Sequence, residues 1–187
     1  MPFNEKALFK AEIPVYTSEL NSKISMLRKQ LAKKGSLSGN ENLCLVDKDN
    51  GEVICFEEGN SESVGGEDFR NFIQSNKHRK FVFIHTHPSG EMLSMQDLNT
   101  FFSGDCYDSM IAAGHNGKIY IAYGKKKKLT KEMALTETFM YDDILSRDLR
   151  MLLKSGTITP SEYARELEAK RVDFLLENYC EHIEVET

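Results

Sequence analysis

Cysteine is sparse in this 187-residue sequence, and none of the four, Cys44, Cys55, Cys106 and Cys180, stands in a CxxC pair or a compact framework. That excludes a disulfide scaffold and a cysteine zinc knuckle, and it leaves the four as reduced, partly buried small residues. Long hydrophobic runs are absent as well. No stretch approaches the roughly 20 apolar residues that cross a bilayer, and the opening MPFNEKALFKAEIP lacks the apolar core of a secretory signal. No membrane partner is expected, and the expected location is cytoplasmic. Basic charge is in short supply: 24 Lys and Arg face 29 Asp and Glu, and the one basic run, Lys125 to Lys128, is a short tract after a predicted strand. A net charge of −5 leaves no electrostatic footprint for a phosphate backbone, so nucleic acid is not an expected partner.

What is present suffices for an ordinary globular core. With 40% apolar and 28% charged side chains, one domain with helical additions is the economical reading. Leu20, Ile24, Leu27 and Leu31 recur at helical spacing within Thr17 to Lys34, with Thr17 or Ser18 as cap and Gly35 as the stop. ENLCLVD and EVICFEE flank KDNG, whose Asn50-Gly51 pair predicts a hairpin of two antiparallel strands. Phe69, Phe72 and Ile73 share a helical face in Glu67 to Asn76, and KFVFIHT follows as a strand. Ser94 opens another amphipathic helix with Met95, Leu98, Phe101 and Phe102, and SMIAAG and KIYIAYG flank a second hairpin at His115-Asn116-Gly117. Lys131 to Lys154 reads as helix, and Thr159-Pro160-Ser161-Glu162 reads as a capping box with proline at the first helical position. Two helices are expected to end the chain, with Tyr163, Leu167 and Phe174 on one face that docks on the core or mediates self-association. Strands alternating with helices predict an α/β class. The divisions are a helical segment over 1–34, a core over 35–128 and C-terminal helices over 129–187. With no internal repeat or low-complexity linker, the last pack on the core.

The stretch KFVFIHTHPSGEMLSMQDL carries the chemistry. In a strand, Phe81, Phe83, His85 and His87 share one face, which sets the two imidazoles side by side. Pro88 cannot continue the ladder and Gly90 permits a sharp turn, so the chain reverses into the helix at Ser94, with Asp97 in its first turn. Two neutral imidazoles and a carboxylate give three zinc ligands at about 2 Å and leave a fourth position for water, the pattern of a hydrolytic rather than a structural site. Taken singly, Ser94 and Asp97 fit a helix cap, and a strand histidine is more often a core or surface group. Together they also have to account for two imidazoles on one face at a strand end, beside a turn and an acid. His78, His115 and His182 have no such company.

His85-Thr86-His87-Pro88 followed by Ser94-Met95-Gln96-Asp97 resembles the JAMM motif of the JAB/MPN (MPN+) metalloprotease family, in which HxHP and SxxD are preceded by a distant glutamate. Six residues separate His87 from Ser94, where the family's eukaryotic deubiquitinases typically have seven. The segment is similar instead to a bacterial branch found in phage and mobile-element proteins. The resemblance covers Gly35 to Gly124. It implies a cytidine-deaminase-like (JAB/MPN) fold, a mixed β-sheet flanked by helices, here with extra N-terminal and C-terminal helices. It also implies one zinc ion per chain on His85, His87 and Asp97.

The upstream glutamate has several candidates: Glu41, Glu52, Glu57, Glu58, Glu62 and Glu67. The family places it at the start of an early strand leading into a hairpin, which is where Glu41 stands. Glu41 also precedes a run apolar on both faces, as a central strand requires. The implied activity is hydrolysis of a peptide or isopeptide bond in a protein or peptide substrate, after the tail of ubiquitin or a ubiquitin-like protein. Glu41 would be the proton shuttle, and Ser94 the donor to the oxyanion. A zinc deaminase needs HxE with PCxxC, and no such cysteine pair exists. A non-catalytic MPN scaffold usually lacks part of the ligand set, which is complete here. A RadC-like protein of DNA metabolism would lead one to expect a glycine-centred helical hairpin before the domain, and the acidic balance argues against DNA.

Overall fold

The structure, a computed structural model, describes residues 11–60, 64–88, 90–126 and 129–185. Helix α1 (Ser18–Ser38) precedes the hairpin of β1 (Asn42–Asp47) and β2 (Val53–Glu58), then α2 (Glu67–Ser75), β3 (Phe81–His87), α3 (Met95–Ser103) and the hairpin of β4 (Tyr107–Gly114) and β5 (Ile119–Tyr123). Helices α4 (Lys131–Leu145), α5 (Arg147–Lys154) and α6 (Pro160–Tyr179) lead to a last strand, β6 (Glu181–Val185). One six-stranded sheet in the order β2-β1-β3-β4-β5-β6 forms the centre. Its β3–β4 pair is parallel and the others are antiparallel, so the fold is mixed α/β with a mixed sheet flanked by helices.

The strand alternation divides the core in two. Leu43, Leu45, Phe81, Phe83, Met110 and Ala112 face α3 and α6, whose Leu98, Phe101, Phe102, Leu175 and Leu176 are buried against them. Cys44, Val46, Val82, Ile84, Ile111 and Ala113 face the other way, onto Leu20, Ile24, Leu27 and Leu31 of α1. β1 and β3 are buried along their whole length on both faces, which is why their sequences read as nearly continuous apolar runs. Each fully buried Leu, Ile or Phe in these layers contributes about 1.5–3 kcal/mol. Among the described residues, no helix is long and apolar enough to cross a membrane.

Three expectations are corrected. Gly35 does not stop α1. The helix runs on to Ser38, and Gly39, at φ +76°, supplies the left-handed cap with its N–H on the Gly35 carbonyl at 2.7 Å. Gly35 is needed for closeness instead: a Cβ there would lie 2.3 Å from His115 Nε2. The helix expected over 131–154 breaks at buried Ser146, whose hydroxyl bonds back to the Asp142 carbonyl and competes with the helical ladder. The last described element is a strand rather than a helix, because β6 pairs with β5 from Ile119↔Val185 to Tyr123↔Glu181. The Tyr163–Leu167–Phe174 face of α6 is partly covered by α4 and α5, and the Tyr141 and Phe174 rings meet at a 40° tilt with centroids 4.6 Å apart.

Candidate metal centre

The centre forms at the carboxyl end of β3, where the chain leaves the parallel pair and crosses to α3. Such strand ends, between neighbours of opposite connectivity, are where open α/β sheets bind ligands. His85 and His87 pair with Ala112 and Gly114 of β4, and Gly114 admits a close approach: a Cβ there would lie 2.5 Å from Asn116 Oδ1 and 2.8 Å from the Gly90 Cα. Gly90, at φ +72°, turns its N–H onto the His87 carbonyl at 3.0 Å and sends the chain towards α3. Ser94 caps that helix reciprocally with Asp97, which fixes the carboxylate in the first turn.

Three donor groups converge as a result. His85 Nε2 and His87 Nε2 lie 2.9 Å apart, and Asp97 Oδ1 and Oδ2 lie 3.3 Å and 3.4 Å from them respectively. The ligand atoms of these residues fall within 4.8 Å of one another, and among the described residues they form the cluster suited to a metal ion. Tetrahedral zinc with bonds of about 2.0–2.1 Å sets its ligand atoms roughly 3.3 Å apart, so the donor set fits such an ion. His87 Nδ1 lies 3.1 Å from the Glu91 carbonyl, the outer contact that fixes the proton on Nδ1 and leaves Nε2 free to coordinate. His85 Nδ1 is buried with no hydrogen-bond partner among the described residues, and its ring lies edge-on to Phe83 with centroids 5.3 Å apart.

The electrostatics follow from this crowding. Burial disfavours the Asp97 carboxylate, but the charges and hydrogen bonds of His85 and His87 outweigh it and hold Asp97 well below the usual carboxylate range. Burial likewise disfavours a charged His87, yet Asp97, Glu41 and the Glu91 backbone carry it up to about 8.

Glu41 precedes β1. It stands two residues before Leu43, whose pairing with His85 ends the β1–β3 ladder, and its carboxyl feels the charges of His85, His87 and Asp97. Its carboxyl is raised by burial, a shift that the imidazole charges oppose and the Asp97 charge assists. It lines the same cleft as His85, His87, Ser94 and Asp97. The rival glutamates lie elsewhere: Glu52 follows the hairpin turn, Glu57 accepts the Gly66 N–H at 3.2 Å, and Glu58 pairs with Lys34 at 2.7 Å. Glu67 opens α2 on the surface, and Glu62 lies outside the described residues.

Two supporting groups escaped the sequence reading. The Thr86 hydroxyl, on the face opposite the imidazoles, accepts the Asn42 N–H at 3.0 Å and so anchors the residue after Glu41. The Glu91 carbonyl orients His87. That a ligating histidine needs such an acceptor is general, but which carbonyl supplies it depends on the path of the turn. No family model, no curated protein and no solved structure matches the chain.

Proposed function

We propose that the chain is a zinc-dependent metallopeptidase of the JAMM type, with a cytidine-deaminase-like core, that hydrolyses a peptide or isopeptide bond in a protein or peptide substrate. The observation that carries this reading is the convergence of His85 Nε2, His87 Nε2 and the Asp97 carboxylate, with half-buried Glu41 in the same cleft. Its motif resembles that of enzymes acting on ubiquitin or ubiquitin-like tails.

His85, His87 and Asp97 would hold the ion. A bound zinc supplies Lewis acidity, which makes water nucleophilic near neutral pH. Glu41, with its raised carboxyl, takes the proton from the attacking water and returns it to the leaving amine. The Ser94 hydroxyl, now donating to Asp97 Oδ2 at 2.7 Å, can rotate to donate to the carbonyl oxygen as charge develops there. Metal analysis of the purified protein, paired with a cleavage assay on peptide and ubiquitin-like conjugates, tests the reading. About one zinc per chain and metal-dependent cleavage are expected. Zinc without cleavage of any conjugate would leave a binding scaffold.

A further inference from the structure

Helices α4 and α5 both pack along α6 and turn Ala134, Thr138, Ser146 and Leu149 inward. Amphipathic helices so placed leave a polar outer side. Here that side is apolar along its length: Met133, Met140, Ile144 and Met151 are 40%, 73%, 62% and 61% exposed. Their successive spacings of 7, 4 and 7 residues keep all four within about 40° of one line on a helix of 3.6 residues per turn. Ser146, where α4 breaks, keeps a right-handed helical backbone at φ −96° and ψ −4°, so the stripe carries on into α5. Over its length of about 27 Å it forms a contiguous patch, unlike the scattered apolar residues of an ordinary monomer surface.

We propose that this stripe is the interface of a homodimer, in which α4 and α5 pack against the same helices of a second copy, antiparallel about a two-fold axis between Met140 and Ile144. The spacing reads the same in both directions. That axis therefore sets Met133 against Met151 and Met140 against Ile144 of the second copy, as a self-complementary interface requires. Charge selects the same partner and the same direction. One flank of the stripe carries exposed Glu132 at the α4 end and exposed Arg150 and Lys154 at the α5 end. The two-fold brings Glu132 of each copy between Arg150 and Lys154 of the other, over a hollow lined by Asp143, Arg147, Arg150, Met151 and Lys154. Asp143, which lies closest to the axis on that flank, is neutralised by Arg150 of its own chain at 2.6 Å. A parallel pairing would instead set Arg147, Arg150 and Lys154 against their own counterparts, which like charges oppose. An anionic membrane surface fits less well, since Glu132, Glu137, Asp143 and Asp148 border the stripe where an interfacial helix carries Lys and Arg. The dimer does not depend on the metallopeptidase reading.

Sedimentation of the full chain over a range of concentrations tests the proposal. A single helix pair is a small interface, so the mass is expected to rise from 21.3 kDa to twice that value across the micromolar range. Met140→Glu and Ile144→Glu, both at exposed positions, are expected to hold the protein at the monomer mass with an unchanged thermal melt. Glu132→Lys and Lys154→Glu should each weaken the dimer, by up to about tenfold, and the two together should dimerise more tightly than either alone. Direction is read from Met133→Cys and Met151→Cys: an equimolar mixture of the two variants is expected to crosslink through a disulfide, and either variant alone no more than wild type. A single mass of 21.3 kDa up to about 0.1 mM overturns the dimer, as does a dimer that both Glu variants leave intact. Crosslinking of Met151→Cys with itself overturns the antiparallel arrangement. A monomer that pellets with phosphatidylserine vesicles, and loses this in Met140→Glu, would assign the face to a membrane surface instead.

Discussion

Asp97 serves two tasks with one carboxylate: Oδ2 accepts the backbone N–H and the hydroxyl of Ser94 at 2.8 and 2.7 Å, while Oδ1 lies 3.3 Å from His85 Nε2 and Oδ2 itself 3.4 Å from His87 Nε2. The pair closes the N-terminus of α3 and at the same time presents an anion to the imidazoles. Ser94→Ala is therefore expected to cost about 1 kcal/mol of stability as a lost cap. It should weaken zinc binding by about tenfold, because an outer contact to a ligand is gone. Measured at saturating zinc, turnover should fall on the order of a hundredfold if the hydroxyl also meets the oxyanion. Full turnover per bound zinc would reduce Ser94 to a cap.

Replacing His85, His87 or Asp97 by Ala should each lower zinc occupancy, since two remaining ligands rarely hold the ion. Metal content measured on the three variants after identical purification checks this. Unchanged occupancy in all three would place the ion elsewhere.

Glu41→Gln keeps shape while removing the exchangeable carboxylate. It should retain zinc and thermal stability and lose most hydrolysis, whereas Gln at Glu52, Glu57 or Glu58 should leave turnover near wild type. Glu58 is salt-bridged to Lys34 on the surface, where such a pair contributes little. Activity surviving in Glu41→Gln and vanishing in one of the others would move the proton shuttle to that residue.

His87 in the metal-free protein is raised from 6.5 to about 8, so the native state holds its proton more tightly than the unfolded chain does. The resulting stabilisation, on the order of 2 kcal/mol, is complete below pH 6.5 and is lost as pH rises through 8. Zinc needs the neutral ring, so its apparent affinity should climb by up to about tenfold per pH unit over the same window as one proton is displaced. Thermal melts of the metal-free protein and chelator competition from pH 6 to 8.5 should therefore move in opposite directions. A pH-independent affinity would remove His87 from the ligand set.

Truncation after Gly124 should yield a protein that fails to fold or aggregates. It removes Leu175 and Leu176, which are 0% and 5% exposed against the same core as Phe101 and Phe102, and strips β6 from the edge of β5. Losing several buried side chains at about 1.5–3 kcal/mol each exceeds what a marginal fold can spare. It would also free α3, whose first N–H is met by Glu168 of α6 at 3.4 Å. An equally stable truncated monomer would show that the C-terminal helices are an appendage.

Much of the fold was legible because its information is local. Alternation in KFVFIHTH put His85 and His87 on one face, Asn50-Gly51 and Asn116-Gly117 marked hairpins, and the Ser94 and Asp97 pair marked a capped helix start. Each signal spans a few residues and acts through backbone geometry that is much the same in any context. The rest depended on partners far along the chain. EHIEV has only two apolar residues in alternation, and it becomes a strand because β5 offers an unpaired edge. Gly35 reads as a helix stop until His115, eighty residues on, occupies the space of its missing side chain. Sequence pattern and family resemblance picked out Glu41, but its place in one cleft with His85 and His87 comes from the pairing of β1 with β3, strands separated by more than thirty residues. Such long-range pairing is selected by burial of the whole sheet rather than by any local preference, and a linear pattern carries no record of it.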